Sequence, residues 1–156
     1  MFDFEGNIRL SIKAIIIRDK KILLTYNSYR GEEFYLLPGG GQKHGEPMDE
    51  AIKRECLEEI GYHVELGQLI FIRDYIGKNH QFAKEDQNIH QVELMFSCQL
   101  LEGNVKNAKM DDSYQIGVQW VRLDDLKEIN IYPSILKEVI HSDGTFNKKV
   151  YLGDSV

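Results

Sequence analysis

Three glutamates set the chemistry that this chain can do. Glu55, Glu58 and Glu59 stand at i, i+3 and i+4, so on a helix their carboxylates leave one face about one turn apart. Like charges at that spacing repel and cost stability unless something positive sits among them. A divalent magnesium or manganese ion is the natural candidate, because hard cations take several carboxylate oxygens. Arg54, four residues before Glu58, is placed to orient that carboxylate from behind. The alternative is a solvated acidic face, the common outcome for a run of charges.

The element that must carry these side chains is well marked. Glu46 stands on the N-cap side, Pro47 suits the first helical position, and Asp49 and Glu50 favour the positive end of the helix dipole. Gly61 is placed to stop the helix. Met48, Ala51, Ile52, Cys56 and Ile60 are spaced to pack on a sheet, leaving the glutamates on another face. Immediately upstream, Pro38-Gly39-Gly40-Gly41 through Gly45 reads as a glycine-rich loop. Glycines there let backbone approach a metal or phosphate with no Cβ in the way.

The full spacing is more specific than the charges. Gly40, five residues, Glu46, seven residues, then Arg54-Glu55-Cys56-Leu57-Glu58-Glu59-Ile60-Gly61-Tyr62 resembles the box of the Nudix (MutT-like) hydrolases. Every fixed position is filled, with Cys56 and Tyr62 as less usual choices at the bulky apolar positions. Val118 to Leu126, VQWVRLDDL, is similar to that family's late tryptophan stretch. The resemblance implies an α/β fold, an α/β/α sandwich around a mixed β-sheet, forming a single domain over residues 1–156. It implies that Glu55, Glu58 and Glu59 are metal ligands, joined by the backbone carbonyl near Gly39, with Mg²⁺ as cofactor and Mn²⁺ able to substitute. Glu46 is then a positioner of Arg54 or of the loop. The implied reaction is hydrolysis of a nucleoside diphosphate linked to another moiety. Glu55, Glu58, Glu59 and Arg54 would be the catalytic set, with Gly39, Gly40 and Gly41 contacting substrate; Arg30 joins the substrate contacts on its charge alone.

Composition fits that plan. Apolar residues make up 42% and charged residues 28% of 156 positions, as in ordinary globular proteins with a real core. A net charge of −6 argues against sequence-independent duplex binding. Cys56 and Cys98 do not make a disulfide framework and suit free thiols in a reducing cytoplasm. No apolar run reaches a membrane span, and MFDFEGNIRL lacks a basic region followed by an apolar core. The expected partner is a small nucleotide or nucleoside diphosphate derivative, bound by a monomer or homodimer.

Periodicity supplies the remaining elements. Strands are expected over 8–18, with Leu10, Ile12, Ala14 and Ile16 alternating, and over 22–26, 34–37, 62–76, 90–100 and 116–123. Gly67 suggests a bulge. Polar loops are expected over 27–33, 78–88 and 102–113. Pro133 is placed to open a helix with Ile135, Leu136, Val139 and Ile140 as its apolar stripe, and 148–152 suits either a short edge strand or a dangling end.

Substrate identity is less legible. The family's downstream proline signal for ADP-ribose hydrolases is missing, since no proline falls between Pro47 and Pro133. That leans the reading towards a nucleoside triphosphate or similar small nucleotide. Tyr29, Phe34, Tyr35 and Tyr75 are candidates for stacking on a base, and Arg30 and Arg73 for phosphate contact. His44 is a loop residue, and His80 and His90 have no zinc-ligand spacing. The general base is open among Glu55, the first choice, Glu93 on the polar face of the 90–100 strand, and Asp111 or Asp112 in the late loop. The competing function is a domain that binds a nucleotide without cleaving it, which would be expected to lack one or more of the glutamates.

Overall fold

The computed structural model describes residues 6–104 and 114–156, with side chains omitted at 102–104; Asp111 and Asp112 lie outside the described residues. The chain opens with β1 (Arg9–Ile15) and β2 (Ile17–Arg18), a single apolar run that changes sheet at Ile16. Its alternation is a true two-faced strand. Ile12, Ala14 and Ile16 pack towards one core cluster, Ile15 towards another.

The hairpin partner, β3 (Lys21–Tyr29), is longer than the apolar run suggests, and β4 (Glu32–Leu36) follows after only Arg30 and Gly31. Both turn residues have positive φ, 49° and 81°, which matches the twist of a two-residue hairpin. The polar loop expected over 27–33 is therefore strand, turn and strand. β5 (Gly39–Gly41) likewise replaces part of the expected glycine loop, pairing antiparallel with β1 through Ser11–Gly41, Ile12–Gly40 and Lys13–Gly39.

α1 (Met48–Ile60) starts after Pro47, which occupies the N-cap position, one place earlier than expected. Gly61 closes it, donating its N–H to the Cys56 carbonyl at 3.1 Å. Ala51, Ile52, Cys56 and Ile60 are buried on Ile12, Ala14, Leu23, Val64 and Cys98. At about 1.5–3 kcal/mol for each large apolar side chain, this packing fixes where the opposite, acidic face must lie.

β6 (Tyr62–Ile76) and β7 (His90–Asn104) form a long antiparallel pair, with a register shift around Gly67 as expected of a bulge. β8 (Gln115–Arg122) pairs with β3, and β9 (Ile131–Tyr132) with β4. α2 (Leu136–Val139) is a single turn because Ile140 leaves it to bridge Phe146, so the longer helix expected after Pro133 does not form. β10 (Tyr151–Asp154) adds a parallel edge to β6.

The two mixed sheets run β10-β6-β7-β1-β5 and β2-β3-β4-β9, with β8 on β3. α1 covers one core cluster and α2 the other, so the α/β sandwich with mixed strand directions holds. Among the described residues no helix is long and apolar enough to cross a membrane.

Candidate active site

A cleft of about 330 Å³ opens where the two sheets meet α1. α1 contributes Glu55, Glu58 and Glu59, β5 contributes Gly39 and Gly40, and β1 and β7 contribute Arg9, Ser11, Lys13, Gln91 and Glu93. The other sheet brings Thr25, Asn27, Leu36 and Gln115.

Backbone approach is tight on the glycine side. Gly39 has φ of +136°, and a Cβ there would come within 2.1 Å of the Ile12 carbonyl oxygen. Its N–H donates to Glu59 Oε2 at 2.7 Å. A Cβ on Gly40 would sit 2.7 Å from the Glu55 carboxylate. Only glycine lets this strand lie against the acidic face of the helix.

Arg54 ties the carboxylates together. Its Nε and Nη2 donate to both oxygens of Glu46, at 2.8 and 3.0 Å, and Nη2 also reaches the Gly41 carbonyl at 3.1 Å. Nη1 donates to Glu55 Oε1 at 2.9 Å and lies 3.5 Å from Glu58 Oε2. The Arg54 bonds, joined by the Lys43 N–H, hold the Glu46 carboxyl down at about 2. Glu46 thus anchors Arg54 and the turn before the helix. Lys13 Nζ donates to the carbonyls of Leu37 and Gly39, at 3.5 and 3.2 Å. Gln115 Nε2 donates to the Glu59 carbonyl at 2.7 Å and so secures the last turn of α1.

In this side-chain arrangement no three acidic, histidine or cysteine groups converge on one point among the described residues. The donor set itself fits a hard divalent cation: Glu55, Glu58, Glu59 and Gly39 all line one cleft and offer carboxylate and carbonyl oxygens, with no sulfur or imidazole among them. Arg54 and Lys13 supply positive charge beside those donors.

Glu93 is a correction to its reading as a polar-face strand residue. It is buried, and Arg73 from β6 grips both its oxygens, Nε to Oε2 at 2.9 Å and Nη2 to Oε1 at 3.0 Å. Gln91 adds a third bond at 3.0 Å, and Arg73 Nη1 also donates to the Ser155 carbonyl. Burial alone would raise the Glu93 carboxyl, but the charge and bonds of Arg73 outweigh it and hold the group below its ordinary value. A carboxylate so fully occupied is a poor proton acceptor. Arg73 is equally unavailable to phosphate.

The other candidates separate cleanly. Arg30 stands apart from the glutamates, its side chain 71% exposed, ion-paired with Glu85 at 3.5 Å. With Tyr29 and Phe34 it lines a second cavity. Tyr35 donates to Gln119, and Tyr75 donates to Asp86 while stacking on His80; neither lines that cavity. Gly41 contributes its carbonyl to Arg54 and does not line the cleft. Arg9, Lys13, Thr25, Asn27 and Gln115 are among the cleft residues that sequence reasoning missed. Lys13 carried a signal, being a charge inside the Leu10–Ile16 alternation.

Comparison with known proteins agrees with this architecture. The NUDIX domain family model matches residues 8–141. A Caenorhabditis elegans relative named as a nudix hydrolase is 27% identical over 128 residues, 78% of this chain; the chain spans only 31% of that protein's length. The nucleoside triphosphatase NudI of Enterobacter sp. (strain 638) is 29% identical over 100 residues, covering 62% of this chain and 67% of the relative. Among solved structures, a NUDIX hydrolase from Nitrosomonas europaea superposes with a TM-score of 0.68 at 21% identity, over 84% of this chain and 85% of that one.

Proposed function

We propose that this chain, which belongs to the Nudix family, hydrolyses the phosphoanhydride bond of a nucleoside triphosphate or similar small nucleotide. The observation that carries the reading is the complete acidic face of α1, Glu55, Glu58 and Glu59, closed against the glycine strand inside one cleft. A relative named as a nucleoside triphosphatase supports the substrate class. A binding-only domain would have no need for all three carboxylates at the cost of their mutual repulsion.

Magnesium, with manganese able to replace it, would be held by Glu55, Glu58, Glu59 and the Gly39 carbonyl, where it would neutralise phosphate charge and make water a better nucleophile. The chain's own residues do the rest. Gly39 and Gly40 let the phosphates come close to backbone. Arg9 and Lys13 face the cleft with positive charge and offset the polyanion. Arg54, fixed by Glu46, sets the rotamers of Glu55 and Glu58. Glu55 takes the proton of the attacking water as its oxygen bonds to phosphorus; the anhydride P–O bond breaks and the leaving phosphate departs with the electron pair. Glu93 is held by Arg73 and serves as a wall of the cleft.

A panel of nucleotides incubated with and without Mg²⁺, with products resolved by chromatography, tests this reading. Metal-dependent cleavage of one or more nucleoside triphosphates is expected. Cleavage of ADP-ribose to AMP and ribose phosphate with every triphosphate untouched would overturn the substrate class.

A further inference from the structure

The acidic cleft accounts for phosphates, but among the described residues it offers no aromatic ring for a base. Such rings lie next to it. Along β3 the side chains of Thr25, Asn27 and Tyr29 share a face, paired with Leu36, Phe34 and Glu32 of β4. Thr25, Asn27 and Leu36 line the acidic cleft, whereas Tyr29, Phe34 and Glu32 line a second cavity of about 410 Å³. Four residue steps of strand separate Thr25 from Tyr29, about 13 Å at the usual rise. A ribose and its first phosphates bridge a gap of that order.

The second cavity is built of rings. Tyr29 and Tyr114 meet edge to face at 4.7 Å between centroids, and Phe34 and Phe82 each meet Tyr132, at 5.7 and 5.8 Å. Tyr29 and Tyr114 remain 36% and 43% exposed, so part of each ring stays open to solvent. Among the described residues the polar lining is mostly acidic: Glu32, Glu85 and Asp86 against the guanidinium of Arg30. Glu32 is held in place, its Oε1 accepting from Tyr132 Oη at 2.9 Å and Asn130 Nδ2 at 3.1 Å. Carboxylates repel phosphate and accept N–H groups. This cavity therefore selects against the phosphate end of a nucleotide and for a base with donors on its edge.

We infer that the Tyr29–Phe34–Tyr132 cavity seats the base of the nucleotide whose phosphates lie against Glu55, Glu58 and Glu59, and that Glu32 favours a purine with adjacent N–H donors, guanine before adenine. The inference rests on the proposed nucleotide hydrolysis for its orientation, but its test does not. Guanine offers N1–H and its 2-amino group side by side to one carboxylate, whereas adenine offers only its amino group.

Binding of GMP, AMP and ribose 5-phosphate to the whole protein, measured by titration calorimetry and by saturation transfer to ligand protons, reads the seat without any hydrolysis. GMP is expected to bind at least tenfold more tightly than ribose 5-phosphate. Phe34→Ala should weaken GMP by about tenfold through lost stacking and leave ribose 5-phosphate unchanged. Tyr29→Ala, at a more exposed ring, should act in the same direction and guards against misfolding of the first variant. Glu32→Gln should bring GMP and AMP closer together. Equal binding of GMP and ribose 5-phosphate, including no binding of either, overturns the seat, as does GMP affinity unmoved in both aromatic variants. A protein that binds GMP in this pattern yet cleaves no nucleotide with Mg²⁺ keeps the seat and loses the hydrolase reading. One that cleaves GTP with KM unchanged by Tyr29→Ala and Phe34→Ala does the reverse.

Discussion

Two arginines in this fold hold carboxylates in opposite ways. Arg73 is 7% exposed and spends its guanidinium on Glu93, also 7% exposed, and on the Ser155 carbonyl. The pair is closed, since both oxygens of Glu93 are taken and Gln91 adds a further bond. Arg54 is 22% exposed and divides itself among Glu46, Glu55, Glu58 and the Gly41 carbonyl. Only Glu46 is gripped on both oxygens; Glu55 and Glu58 are each touched once. A buried closed pair is costly to break, because one ion is left without water or partner. A partly open network can surrender contacts at little cost. The first arrangement suits holding a wall, and the second suits carboxylates that must also meet a cation and a substrate.

The sharpest way to break this contrast is to neutralise one carboxylate on each side. Glu55→Gln should lower kcat by about 10²- to 10⁴-fold at saturating Mg²⁺ if Glu55 takes the proton. It should leave stability unchanged or slightly improved, since one repelling charge leaves the acidic face. Glu93→Gln should affect kcat far less. A hundredfold loss in Glu93→Gln with near-normal kcat in Glu55→Gln would invert the assignment of roles.

The second test is on stability. Arg73→Met strands the buried Glu93 charge and should destabilise the fold by about 3–5 kcal/mol, read from urea unfolding. Arg54→Met, in a more open setting, should cost about 1 kcal/mol while lowering activity. Adding Glu93→Leu to Arg73→Met should recover most of the lost stability, because no uncompensated ion remains. Equal losses for the two arginine variants would erase the distinction.

The Arg54 side of this contrast was legible in the sequence, and the Arg73 side was not. Arg54, Glu55, Glu58 and Glu59 are one short helical segment with a proline before it and a glycine after it, so local spacing alone places them on one face. The core helix face followed from the same periodicity, and the bulge near Gly67 from a glycine inside a strand pattern. Arg73 and Glu93 meet only through the β6–β7 register, 20 positions apart and beyond a bulge, which no local pattern encodes. Asn27 to Glu33 failed for a related reason. Strand residues that line a polar cleft have the composition of a loop, and the Arg30–Gly31 turn is too short to stand out. For the same reason Thr25, Asn27, Lys13 and Gln115 joined the site only once the two sheets were brought together.

A third test sharpens the idea that the Arg54 face is built to accept a cation. Millimolar Mg²⁺ or Mn²⁺ should raise Tm by mass action, by about 2.7 kcal/mol of stabilisation at a hundred times Kd. Glu58→Gln and Glu59→Gln should remove most of that rise, while Gln91→Ala, beside the closed pair, should keep it. A wild-type melting curve unmoved by either ion, with no heat of binding in calorimetry, would sink the assignment of these carboxylates as metal ligands.

The smallest expected effect is in the acid limb, and it tests what fixes Arg54 itself. The Arg54 bonds hold Glu46 at about 2, against an ordinary value of 4.5. A carboxyl depressed on folding favours the folded state when ionised, so its contribution is fully present above about 4.5. It fades as pH falls through the window from 4.5 to 2 and is absent below about 2. The Tm difference between wild type and Glu46→Gln should therefore be constant near neutrality and close as pH drops across that window. The difference should also shrink with added salt, since the Arg54–Glu46 pair is partly open to solvent and screened. The buried Glu93, depressed in the same direction by Arg73, should give Glu93→Gln a difference of the same pH sign but with little salt dependence. If instead the Glu46 difference stays constant down to pH 2, or resists salt as the Glu93 difference does, then Arg54 is held by shape and packing. Its network would then be as closed as that of Arg73.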